Sequence, residues 1–170
     1  IDRKTSSSNV VRPMNIMVVS LTPIWQREEQ RLLALLEVAG LRRIDVHLDN
    51  ILTESFPRGQ KKPYKKELDA ARPRISLLIE QFKPDLVIPL GAEACQFFLP
   101  TCSLSKDHGM IEQGESYSVM PMYSPAASMH NPSLTIAMKY DFDRLGRYVR
   151  GEKAEVIEVN YSLAHSEDAA

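Results

Sequence analysis

Five consecutive apolar residues, Leu86-Val87-Ile88-Pro89-Leu90, stand between Lys83-Pro84-Asp85 and Gly91. A strand with no polar alternation is buried on both faces, and such strands belong to parallel sheets covered by helices on each side. Parallel strands need long crossovers, so helices must alternate with the strands. The chain supplies that alternation. Asn15 to Ser20 reads as a first strand with Leu21-Thr22-Pro23 as its exit turn. Arg27 to Ala39 carries Leu32, Leu35, Leu36 and Ala39 at helical spacing, and Gly40 is a fitting stop. Asp45 to Leu52 is a second strand, and Glu67 to Phe82 a second helix with Ile75, Leu78, Ile79 and Phe82 on one face. Ala92 to Leu99 is a third helix, residues 100–118 are polar and irregular, and Val119 to Met122 is a fourth strand. Asn131-Pro132-Ser133 opens a last helix that Gly151 closes. The expected fold is α/β, with three α/β/α layers around a central four-stranded parallel sheet.

The length of 170 residues suits one domain with a real core. Residues 1–13, with Ser6-Ser7-Ser8-Asn9, read as a flexible tail, 14–151 as the domain, and 152–170 as an extension or linker. The alternating Val156 to Tyr161 is expected to pack on something else, and a start without Met suggests a trimmed start or one part of a larger protein. The net charge of -1 excludes a uniformly basic nucleic-acid binder, so any such contact must come from a local patch. The obvious patch is Arg58-Gly59-Gln60-Lys61-Lys62-Pro63-Tyr64-Lys65-Lys66, with five cations and one Tyr in nine residues. Cations interleaved with a ring suit a phosphate backbone or a single strand, though a solvated charge run has the same composition. There is no apolar run of membrane-spanning length and no signal-peptide pattern at Ile1-Asp2-Arg3-Lys4, so a cytoplasmic location is expected. Cys95 and Cys102 stand outside any metal-ligand spacing and are expected to be reduced, with Cys95 buried. Neither GxGxxG nor GxxxxGK[ST] follows the first strand, which argues against an α/β enzyme for a small nucleotide or sugar.

In open parallel sheets, sites form beyond the carboxyl ends of the strands. Two such ends carry unusual loop chemistry: Leu90-Gly91, and Met120-Pro121-Met122-Tyr123-Ser124-Pro125-Ala126-Ala127 with Asn131-Pro132 after it. With Arg72-Pro73, Lys83-Pro84 and Asp49-Asn50-Ile51-Leu52, these words resemble the uracil-DNA glycosylase superfamily, nearest the family 4 pattern, from about Asn15 to Arg150. The resemblance implies a uracil-DNA glycosylase-like fold and DNA as partner, single- or double-stranded. It implies an Asn that reads the base at Asn50, and a pocket drawing on Ser20, Thr22, Pro23, Asn50 and Gly91. It also implies an acid after the first strand and a His in the last motif, and Leu21 and Ser124 stand in those places. Glu54 and Ala71 stand where two of the family's cluster-binding cysteines belong, so no iron–sulfur cluster, metal or other cofactor is expected. The family's base-stacking Phe loop is absent, and Trp25 is the nearby ring.

Three readings follow. In the first, base excision is lost and the domain grips DNA through Arg58, Lys61, Lys62, Lys65, Lys66, Ser124, His130 and Asn131, in replication or repair. A glycosylase-like domain ahead of exonuclease and polymerase domains, as in some bacteriophage family A DNA polymerases, is similar in layout. In the second, the chain is an active glycosylase for uracil or a modified base, rebuilt around Asn50, Ser124, His130 or Trp25. The third is the small-substrate enzyme already argued against. Plainer readings also stand: Asn50 bonding its own loop, Ser124 as a loop serine, His130 and His108 as surface-loop residues, and Glu28-Glu29 as charges complementing a helix dipole.

Overall fold

Neighbouring residues of the first strand, β1 (Ile16–Ser20), feed two separate cores. Ile16 and Val18 pack with Leu32, Leu36, Met138, Phe142 and Leu145, while Met17 and Val19 pack with Ile51, Ile75, Ala94 and Phe97. Side chains alternate across a strand, so a strand apolar at every position must be covered twice. These contacts come from a computed structural model of the protein, which describes residues 13–56, 60 and 62–152. The first cover is α1 (Gln26–Val38) with α6 (Leu134–Val149), and the second is α2 (Lys65–Phe82) with α3 (Ala92–Phe98). The expected three layers are therefore present.

The sheet has four parallel strands in the order β2-β1-β3-β4, with β2 at Val46–Asn50, β3 at Leu86–Leu90 and β4 at Ser118–Val119. The register sets Ser20 level with Asn50 on one side and with Leu90 on the other, and Met122 bridges Leu90. Four strand exits thus share one edge. The chain leaves β1 toward β2 and returns on β1's other side as β3, so the order reverses at that edge between β1 and β3, where α/β folds place ligands.

The expected fourth strand, Val119 to Met122, is interrupted. Met120 donates to the Val87 carbonyl at 3.0 Å, and Met122 to the Pro89 carbonyl at 3.1 Å. Pro89 has no N–H to return toward β4, so the ladder breaks opposite it and resumes where Gly91 donates to Met122 at 2.8 Å. The last helix begins at Leu134 rather than at Asn131, because Pro125–His130 forms a separate short helix, α5. A short α4 (Leu104–Asp107) lies inside the stretch expected to be irregular. Lys65 and Lys66 belong to the first turn of α2 rather than to the preceding loop. Among the described residues no helix is long and apolar enough to cross a membrane. Arg58, Lys61, the Ser-rich start through residue 12 and the Val156 to Tyr161 segment lie outside the described residues.

Candidate functional site

A cleft of about 200 Å³ opens at the point where the strand order reverses. Its first wall is the β1 exit, Ser20, Leu21, Thr22 and Ile24, followed by Glu28 from the first turn of α1. Its second wall is Leu90, Gly91 and Glu93, where β3 turns into α3. Ser124, Pro125 and Ala126, at the start of α5, complete it. The loops after three strands therefore meet in one place.

Local chemistry explains the shape. Ser20 is 7% exposed, and its hydroxyl donates to the Thr22 carbonyl at 2.7 Å, which folds the exit turn back on itself. Gly91 holds φ +90°, and a β-carbon there would lie 3.6 Å from Cβ of Ser124, so the β3 exit and the start of α5 are in contact. α5 is tied to α1 by Arg31, whose Nη1 donates to the Ser128 hydroxyl at 3.0 Å. That hydroxyl in turn donates to the Pro125 carbonyl at 3.1 Å.

The predicted pocket residues divide. Ser20, Thr22, Gly91, Leu21 and Ser124 line the cleft; Pro23 and Asn50 do not. Asn50 sits at the end of β2, one strand away, as the strand-end reading has it. Its carbonyl and that of Ile51 accept from Arg74 Nη2 at 2.6 and 2.7 Å, and Arg74 also pairs with Asp49 at 3.6 Å. Arg74 thus clamps the β2 exit, and Asn50 is part of that clamp. Asn131 ends α5 and accepts from the Ser133 hydroxyl at 2.6 Å, so it shapes the turn into α6. His130 is exposed at the end of α5, outside the cleft. His108 is no free surface residue: its Nδ1 lies 2.7 Å from Asp141 Oδ2, and its ring centroid 4.8 Å from that of Tyr123.

Two carboxylates in the cleft escaped the sequence reading. Glu28 was paired there with Glu29 as a dipole complement, yet only Glu29 reaches an ion pair, with Arg43 at 3.5 Å. Glu28 faces the cleft, and its burial pushes its carboxyl above the usual range, partly offset by the charge of His130. Glu93 lies two residues past Gly91, in the first turn beyond a strand's carboxyl end, which was the available signal. No Lys, Arg or His lines the cleft.

The described cations of the basic segment lie at one margin of this edge. Lys62, Lys65 and Lys66 are exposed, Tyr64 is 57% exposed, and Lys66 Nζ lies 5.9 Å from the Tyr64 ring centroid. Lysines in a first helical turn oppose the helix dipole, so they do not serve α2 itself. Glu67 does, by accepting from the Tyr64 N–H at 2.9 Å. The segment follows the β2 exit and the Ser124–Asn131 loop follows the β4 side, so they flank the cleft. Three strand spacings separate those exits, about 14 Å.

The donor set does not suit a cluster of the four-cysteine kind. The chain has two cysteines, both buried and free, and no described group of three His, Cys, Asp or Glu could hold a metal ion.

Comparison with known proteins agrees with the fold. The model of the Uracil DNA glycosylase superfamily matches residues 15–145. Among curated proteins, a type-4 uracil-DNA glycosylase of Saccharolobus solfataricus is 26% identical over 118 residues, covering 64% of this chain and 54% of that protein. One of Archaeoglobus fulgidus is 28% identical over 116 residues, covering 63% and 58%. One of Thermotoga maritima is 30% identical over 114 residues, covering 65% and 59%. The chain spans little more than half the length of these relatives.

Proposed function

We propose, from the premise that this chain belongs to the uracil DNA glycosylase superfamily, that it is a DNA-binding module which has lost base excision. The observation that carries the reading is the lining of the cleft. Breaking a glycosidic bond leaves negative charge on the departing base, which donors or cations must stabilise. Here Glu28 and Glu93 line the cleft instead, and Ser124 stands where the resemblance puts a His. Leu21, at the position of the acid, is hydrocarbon and cannot orient water. Removing one such stabilising group costs roughly 100- to 1000-fold in rate. The exposed Lys62, Lys65 and Lys66 at the margin supply charge for phosphates. We extend the reading to a part in replication or repair within a larger polymerase of the bacteriophage kind, inside the host cytoplasm. The similarity of layout supports that extension.

A second reading has its own observation. Glu28 faces the cleft and feels His130, so a carboxylate and an imidazole could stand in for the missing pair. Uracil excision and DNA binding, measured on one sample across a salt series, separate the two. Salt-sensitive binding without abasic product supports the first reading. Abasic product that disappears in Glu28→Gln supports the second.

A further inference from the structure

We infer that the cleft holds one unstacked pyrimidine base and prefers cytosine to thymine or uracil. The inference rests on the DNA-binding reading above and gives its cleft a ligand class.

Size comes first. A cleft of about 200 Å³ is smaller than the ~300–1,000 Å³ pockets that hold drug-sized ligands, so it suits one small ring rather than a nucleotide. Charge comes second. Glu28 and Glu93 line it without Lys, Arg or His, which repels phosphate and leaves the backbone to the basic margin. Hydrogen-bonding capacity comes third. An ionised carboxylate only accepts. Neither Glu28 nor Glu93 has a hydrogen-bonding side-chain partner among the described residues, and Ser20 has its proton committed to Thr22. The unfilled capacity of the cleft is therefore for a donor. Cytosine offers its N4 amino group at the ring edge where thymine and uracil offer the O4 acceptor, and Glu is the side-chain type that accepts from cytosine N4. An O4 carbonyl against either carboxylate sets two acceptors together.

A ring for stacking is in place. Trp25 lies between Ile24, which lines the cleft, and the helix that brings Glu28, and it is 66% exposed. A tryptophan left that open has little role in either core, and base–aromatic stacking is how single strands are held without regard to sequence. In this arrangement Trp25 supplies affinity and the carboxylates supply the choice of base.

The test uses the full chain and short strands of abasic spacer carrying one central dC, dT or dU, at pH 8 and low salt. Binding is read by anisotropy and by fluorescence of Trp25, the single tryptophan of the chain. The dC strand is expected to bind about tenfold more tightly than dT or dU, the scale of one good base-edge contact. Glu28→Gln and Glu93→Gln, with circular dichroism as a check on folding, are expected to weaken dC and tighten dT, since an amide can donate to O4. A purely structural role for either residue would weaken all strands alike. Equal binding of dC, dT and dU overturns the inference and leaves the DNA-binding reading standing. Binding to no strand and to no duplex at low salt overturns both.

Discussion

His108 reaches Asp141 across the packed edge of α6, Nδ1 to Oδ2 at 2.7 Å, and the same ring lies against Tyr123, next to Ser124 of the cleft. The pair fastens the loop after α4 to the last helix. Arg144 adds a bond from Nη1 to the Gly109 carbonyl at 3.2 Å, and a β-carbon at Gly109 would collide with the Asp141 carboxylate. His108→Ala leaves that carboxylate, 4% exposed, without its imidazole. The expected cost is about 1–3 kcal/mol in urea unfolding, the scale for a buried polar group that loses its partner.

Asp141 also sets a pH dependence. Its burial raises its pKa, and His108 and Arg144 only partly oppose the rise. A folded pKa above the unfolded one means that the native state binds the proton more tightly. This group's contribution to stability therefore falls as pH rises from the unfolded value of 3.8 through the folded one. Asp141→Asn should remove that downward component from the stability–pH curve, and parallel curves for the two proteins would contradict it.

Gly91 is constrained by its backbone rather than by space. At φ +90° an L-residue is strained, while the β-carbon would meet Ser124 at an ordinary 3.6 Å. Gly91→Ala is expected to lower stability by roughly 1–2 kcal/mol. Because the residue lines the cleft, the variant should also alter the Trp25 fluorescence response to single strands.

The two thiols should be silent in the native state. Cys95 is fully buried, and desolvation, with Cys102 beside it, pushes its thiol up to about 12. Cys102 is raised as well, again mainly by burial. The thiolate is the reactive species, so maleimide or disulfide-exchange labelling at pH 8 should be slow and should accelerate only under unfolding conditions.

The basic margin predicts opposite signs for binding and folding. Lys65→Glu and Lys66→Glu place acids in the first turn of α2, where they complement the helix dipole by about 0.3–1 kcal/mol each. Thermal unfolding should move upward. DNA affinity should fall, and the salt slope should shrink by about 0.7–0.9 per lost phosphate contact. Unchanged affinity with raised stability would remove these lysines from the interface.

The layered fold was legible because its determinants are local. Leu86 to Leu90 can only be a strand covered on both faces, and the leucines at 32, 35 and 36 can only be one side of a helix. Boundaries failed where a distant partner decides them. The fourth strand breaks at Met120 because Pro89, thirty-one residues earlier, has no N–H to give it. Lys65 and Lys66 looked like loop because the capping contact from Glu67 to Tyr64 is not visible in composition.

The cleft divides the same way. Ser20, Leu21, Gly91 and Ser124 could be read from the sequence because each stands at a strand's carboxyl end, and the order of elements dictates which edge that is. Asn50 shares that edge, but the strand order β2-β1-β3-β4 puts it beside the cleft and gives it to the Arg74 clamp. Glu28 and Glu93 took their places only in the tertiary structure. Whether a first-turn carboxylate faces solvent or a cleft depends on how its helix is rotated against the sheet, and packing of α1 against α5 and α6 sets that rotation. The sequence alone determined the elements and the chemistry available at their ends, since those follow from spacing and residue type. Which of those groups share one small volume was decided by strand order and helix packing, which bring together residues as far apart as Glu28 and Ser124.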